Sequence, residues 1–216
     1  MSRTPRQSRG PESRNAQSGG AQSRDGQSLD AQSGGAQSRD AGSAGQAGRH
    51  VVLIGFMAAG KSVVGRGYAA RRGLRFIDTD EAVVERYGPI SDLFSSRGEC
   101  FFREVEARTV ASALESPVPA VISLGGGAVL DSGTQQLLAG ATVVFLDTDL
   151  ATVLPRITRS GHRPLLSPDP AQRWEELAKV RRPVYESLAD ITIDTRGLTV
   201  PAIIDRLTSV LTKGED

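Results

Sequence analysis

Cysteine is almost absent from this 216-residue chain, and the single one, Cys100, can make neither an intramolecular disulfide nor a cysteine-based zinc site. Histidine is nearly as scarce. His50 and His162 are the whole supply, too few for a metal site built from imidazoles alone. No apolar run approaches the ~18 residues that a membrane span requires. Net charge is also close to absent, at +1. Together these shortages predict a soluble chain in a reducing compartment, placed in the cytoplasm, with no membrane partner.

The near-zero charge hides two unlike segments. Residues 1–49 carry nine glycines, seven arginines and four acids (Glu12, Asp25, Asp30, Asp40), with Met1 and Leu29 as the only large apolar side chains. Such a stretch cannot bury enough surface to offset the entropy of ordering it. It also repeats itself: AQSGGAQSRD at 16–25 recurs at 31–40. The expectation is a low-complexity disordered tail. A transit peptide is the alternative, but such peptides are acid-poor and amphipathic, and this segment is neither. Residues 50–216 then hold 19 basic and 21 acidic side chains, a net −2. A slightly acidic body is a poor non-specific nucleic-acid binder, so no nucleic-acid partner is expected.

The 167 residues from His50 onward suit one domain with its own core. Short β-branched runs occur at 50–54, 74–77, 120–124, 142–146 and 191–193. Between them, helical patterns run at about 62–72, 79–86, 91–115 with a break near Gly98, 131–139, 149–159, 172–188 and 199–213. Nearly continuous apolar strands alternating with helices predict an α/β fold with a five-stranded parallel sheet, covered on both faces. Ligands of such sheets lie beyond the carboxyl ends of the strands.

The segments after the strands carry the chemistry. The first strand leads into Gly55-Phe56-Met57-Ala58-Ala59-Gly60-Lys61-Ser62, a G-x-x-x-x-G-K-S loop before a helix. Its amides can wrap phosphate oxygens, with Lys61 reaching the β and γ phosphates and Ser62 a magnesium ligand. The second strand ends in Asp78-Thr79-Asp80. If extended geometry persists to Asp80, both carboxylates face one crevice, fit for Mg²⁺ and for accepting a hydroxyl proton. A helix N-cap is the bland alternative.

Arg103 and Glu106, three apart on a helix, share a face. They read either as a carboxylate-binding guanidinium with its partner or as a surface ion pair. The third strand runs into Gly125-Gly126-Gly127, where backbone can approach a ligand closely. Late in the chain come Arg156, Arg159, His162-Arg163-Pro164-Leu165-Leu166 and Arg181-Arg182-Pro183-Val184-Tyr185. Arginines on a flap between two helices can close over phosphates. Arg159 and Arg182 read as ordinary surface charges, and Trp174 and Cys100 as packing residues.

In order and spacing these motifs resemble the shikimate kinase family over about 50–195. The resemblance rests on GFMAAGKS at 55–62, FIDTD at 76–80, GECFFREVE at 98–106, ISLGGGAV at 122–129, RPLL at 163–166 and RRPVYE at 181–186. It implies a three-layer α/β/α fold of the nucleoside-monophosphate-kinase type, with a substrate-binding helical region and a lid. It also implies transfer of the γ-phosphoryl group of ATP to the 3-hydroxyl of shikimate, a step toward chorismate and the aromatic amino acids.

By that resemblance Gly55, Ala58, Ala59, Gly60, Lys61, Ser62 and Val63 form the nucleotide loop, and Ser62 and Asp78 serve Mg²⁺. Asp80 is the candidate base and binds the substrate hydroxyl. Arg103 and Arg181 clamp the shikimate carboxylate, with Glu106, Gly125, Gly126 and Gly127 completing the pocket. Arg163 is the lid arginine on the phosphates, and Arg156 packs near adenine. Catalysis then falls to Asp80, Lys61 and Arg163, in a monomer.

Two departures stand out. Ala58 replaces a usual glycine, which strains the loop if the position needs φ > 0, and Val63 replaces a frequent threonine. Two alternatives remain at this level: another small-molecule kinase of the same architecture, gluconate- or nucleotide-kinase-like, or an ATP-binding module without turnover.

Overall fold

The computed structural model describes residues 49–159 and 169–212. Five parallel strands form one sheet: β1 (Val51–Ile54), β2 (Arg75–Asp78), β3 (Ala120–Ser123), β4 (Thr142–Asp147) and β5 (Ile191–Asp194), in the order β2-β3-β1-β4-β5. The central strand pairs on both sides, Val52 with Ile122 of β3 and with Val143 of β4.

Alternate residues of each strand enter different cores, which is why the runs read as continuously apolar. Val52, Ile54, Ile122, Val143 and Phe145 face one side, whereas Val51, Leu53, Val121, Val144 and Leu146 face the other. The second face is covered by α1 (Lys61–Arg72) and α7 (Val200–Thr212), through Val64, Tyr68, Ile203 and Leu207. Over the first face lie α3 (Ile90–Leu114), α4 (Ser132–Leu138), α5 (Leu150–Arg159) and α6 (Pro170–Leu188), contributing Val110, Leu138, Val153 and Trp174. This is the three-layer α/β/α arrangement expected. A separate small core joins Val83 of α2 (Thr79–Tyr87) to Leu93, Phe102 and Val105 of α3.

Local chemistry sets the ends. Gly73 takes φ 65° to stop α1, and Asp169 caps α6 through the amides of Ala171 and Gln172. Gly98, at φ 81° and ψ 171°, breaks α3 where the break was expected. The pattern did not foresee the 3-10 turn Ala128–Leu130 after the glycine run. Among the described residues no helix is long and apolar enough to cross a membrane.

Candidate active site

The loop between β1 and α1 is held by its carbonyls. Lys61 Nζ donates to Gly55 O at 2.9 Å and Phe56 O at 3.0 Å. Trp174 Nε1 donates to Met57 O at 3.4 Å, and Arg156 Nη1 donates to Ala58 O at 3.0 Å. Four consecutive carbonyls are thus taken by side chains of α1, α6 and α5, and Ala59 N donates to Phe56 O at 3.2 Å, so the amides left for an anion are those that open α1. Phe56 anchors the same loop in an aromatic cluster, its ring centroid 5.0 Å from Tyr185, 5.1 Å from Trp174 and 5.8 Å from Phe145. Gly60 sits at φ 97° at the start of α1. Ala58 sits at φ 64°, the only non-glycine with positive φ among the described residues. The condition attached to its replacement of glycine is met, and that conformation costs an alanine about 1–2 kcal/mol.

Extended geometry stops at Asp78, so the strand alternation expected to pair Asp78 with Asp80 does not continue. Asp78 is the N-cap of α2, its Oδ1 accepting from the amides of Asp80 at 3.0 Å and Glu81 at 3.2 Å. Asp80 lies in the first turn of that helix and lines the cavity. Between them, fully buried Thr79 donates its hydroxyl to Ser123 O at 3.2 Å and accepts from Gly125 N at 3.1 Å. This small bridge locks the glycine run to the residue beside Asp80.

Each glycine of the run makes room for a different group. A Cβ on Gly125 would lie 2.5 Å from Glu106 Oε1 and 2.6 Å from Asp80 Oδ1. On Gly127 it would lie 2.9 Å from Arg103 Cζ, and on Gly126 it would touch Arg181 Nη1 at 3.4 Å. Two carboxylates and two guanidiniums therefore converge on the loop after β3. Arg103 is no surface pair: its Nη1 donates to Glu106 Oε2 at 2.6 Å, and the Glu106 side chain is only 4% exposed. Burial raises the Glu106 carboxyl above its ordinary range, against the pull of Arg103 and with a smaller push from Asp80.

Arg181 is buried, and its Nε hydrogen-bonds to none of the described residues. A buried donor left so costs about 1–3 kcal/mol, which an anion in the cavity would recover. Tyr185, one turn further along α6, donates to Gly126 O at 2.5 Å. Its phenol is pushed up to about 12 by burial, with Arg181 opposing.

These groups share one cavity of about 740 Å³. Ala58, Gly60, Lys61, Ser62, Val63 and Arg156 line one part of it, and Asp80, Arg103, Glu106, Gly126, Gly127 and Arg181 another. Gly55 and Ala59 stand behind the loop rather than in the cavity wall, both buried. Phe94, Phe102, Pro89 and Ile90 add an apolar side that the motifs did not announce. Arg163 lies outside the described residues, as do His162, Pro164, Leu165, Leu166 and the side chain of Arg159.

Two bland expectations need correction. Arg182 is a tie rather than a loose surface charge, bonding Asp147 Oδ1 at 2.6 Å and Thr148 O at 3.0 Å while its guanidinium covers the Phe56 ring. Cys100 is exposed rather than part of a core. Thr79 and Tyr185 were missed as positioning groups. Tyr185 was within reach, because it lies four residues from Arg181 and so on the same helical face.

Among the described residues no cluster of three or more His, Cys, Asp or Glu could cage a metal. Ser62 lines the cavity, whereas Asp78 is buried as the α2 cap and does not; two protein oxygens are a donor set of the kind that Mg²⁺ takes together with substrate phosphates.

The family profile described as shikimate kinase matches residues 57–212. A shikimate kinase of Streptomyces coelicolor is 41% identical over 150 residues, covering 69% of this chain and 87% of the relative. One of Thermobifida fusca is 43% identical over 145 residues, covering 67% and 84%. Among solved structures, shikimate kinase from Acinetobacter baumannii in complex with shikimate superposes with a TM-score of 0.74 at 29% identity, covering 77% of this chain and 94% of that one.

Proposed function

We infer the roles of individual residues from one premise: the chain belongs to the shikimate kinase family, and its activity is ATP-dependent phosphoryl transfer to shikimate. The loop 55–63 holds the triphosphate, with Lys61 leaving the carbonyls of Gly55 and Phe56 to reach the β and γ phosphates. Ser62, and Asp78 through water, hold Mg²⁺, which when bound neutralises charge on the phosphate oxygens. Asp80 takes the proton of the 3-hydroxyl as its oxygen bonds to the γ-phosphorus and ADP departs. Arg103 and Arg181 hold the shikimate carboxylate, and Glu106 keeps Arg103 aimed. Gly125, Gly126 and Gly127 let the ring sit against backbone. Arg156 packs near adenine, and Arg163 meets the phosphates from the lid.

The observation that supports this reading most is Arg181, a buried guanidinium with an unbonded Nε, lining the cavity that also receives Lys61 and Asp80. A carboxylate that fits a fork of donors is the missing complement. The proposed catalytic domain runs 50–216 and the proposed tail 1–49. The proposed working form is a monomer in the cytoplasm.

Purified protein with ATP and Mg²⁺ should release ADP when shikimate is added and not when gluconate replaces it. Absence of stimulation at millimolar shikimate would overturn the assignment.

A further inference from the structure

The phosphate loop contains a conformation that its own residue disfavours. Ala58 holds φ 64°, whereas the other positive-φ positions of the loop, Gly55 and Gly60, are glycines. Inside the loop, Ala59 N donates to Phe56 O at 3.2 Å and closes a turn around Ala58; a contact from outside adds to that closure, since an alanine left to itself returns to negative φ. The outside group in contact is Arg156, 98 residues distant in sequence, whose Nη1 donates to Ala58 O at 3.0 Å.

We propose that Arg156 is a positioning residue for phosphate binding, holding the Ala58 carbonyl and so fixing the strained turn that leads into the amides opening α1, where the triphosphate would be held. This rests on reading the loop as the ATP phosphate site, and it adds to Arg156 a role independent of any contact with adenine. The neighbouring carbonyls are held in the same sense by Lys61 and Trp174. Lys61 must release its two to serve phosphate, and Trp174 holds Met57 at the longer distance of 3.4 Å. Arg156 therefore holds the strained residue when the anion arrives. A charged donor to a carbonyl is among the stronger neutral-acceptor bonds, enough to offset the disfavoured dihedral.

The test uses a ligand with no base. Magnesium tripolyphosphate binding to the full chain is measured by calorimetry for four proteins: unsubstituted, Arg156→Met, Ala58→Gly, and the double variant. With Ala58 present, Arg156→Met should weaken binding about tenfold. With glycine at 58, where positive φ is unstrained, the same change should cost less than about threefold. Arg156→Lys, which keeps a donor, should recover part of the loss, and the thermal midpoint of each variant separates a loop effect from unfolding. Equal losses in the two backgrounds, or none in either, would overturn this inference alone. Failure of the unsubstituted protein to bind tripolyphosphate would overturn the phosphate-loop reading and this inference with it.

Discussion

The two parts of the cavity are made of different material. On the side proposed for the nucleotide the wall is a backbone loop whose carbonyls the side chains Trp174, Arg156 and Lys61 hold. On the side proposed for the acceptor the backbone has retreated to glycine, and the wall is made of charged, largely buried side chains, Arg103 bonded to Glu106. The first part depends on dihedral angles and the second on charge pairing. Substitutions should therefore fail differently in each: dihedral strain is worth about 1–2 kcal/mol, whereas an unpaired buried charge is worth several.

Five experiments would break or sharpen that contrast. Asp80→Asn should cut kcat by about 10²-fold or more while ATP binding stays nearly unchanged, and unaltered turnover would remove Asp80 from the chemistry. Arg181→Ala should raise the KM for shikimate by at least about thirtyfold and leave the KM for ATP alone, because it removes one of the two guanidiniums proposed to hold the substrate carboxylate. The Tyr185 phenol titrates at about 12 in the folded protein against 10.0 ordinarily. A raised folded value means that the unfolded chain ionises first, so stability should be full below pH 10 and fall by about 2–3 kcal/mol as pH approaches 12. Urea unfolding across that range should show the slope, and Tyr185→Phe should flatten it.

Exchanging glycine and alanine gives the most direct comparison. Gly127→Ala drives a methyl into the Arg103 guanidinium, 2.9 Å from Cζ, and should raise the shikimate KM about tenfold. Ala58→Gly, in the other part, should change the ATP KM by less than about threefold. The smallest effect belongs to a pair outside both: Arg66 and Glu81 meet at 2.8 Å with both side chains more than half exposed. Arg66→Ala should shift the thermal midpoint by less than about 1 kcal/mol equivalent.

The fold was legible because its strands are short, branched and buried on two faces, and its helices end on Gly73, Gly98 and aspartate caps. The site was legible to the extent that it is motif. The G-x-x-x-x-G-K-S loop declared itself by spacing, and Ala58 stood out only against the glycine usual in the family, its φ of 64° coming from the structure. The depth of the Arg103–Glu106 pair did not, because i,i+3 spacing is identical on a wet face and a dry one. Nor did the Asp78 cap: a strand period and a helix start compete for the same residues, and only the chain's path decides. Thr79 was hidden between two more eloquent aspartates, its hydroxyl partners lying 44 and 46 residues away.

The strand order carries a mechanical consequence. β1 and β3 are immediate neighbours, so the loops proposed to hold donor and acceptor leave the sheet from adjacent tracks. Parallel strands keep a separation of about 4.8 Å, set by a row of amide hydrogen bonds. A row of hydrogen bonds of that kind resists stretching. The separation of the two loops at their roots is therefore gauged by the sheet. Warming should leave the reaction's geometry intact until the strands themselves part, and catalysis should then vanish together with the β-sheet signal rather than ahead of it.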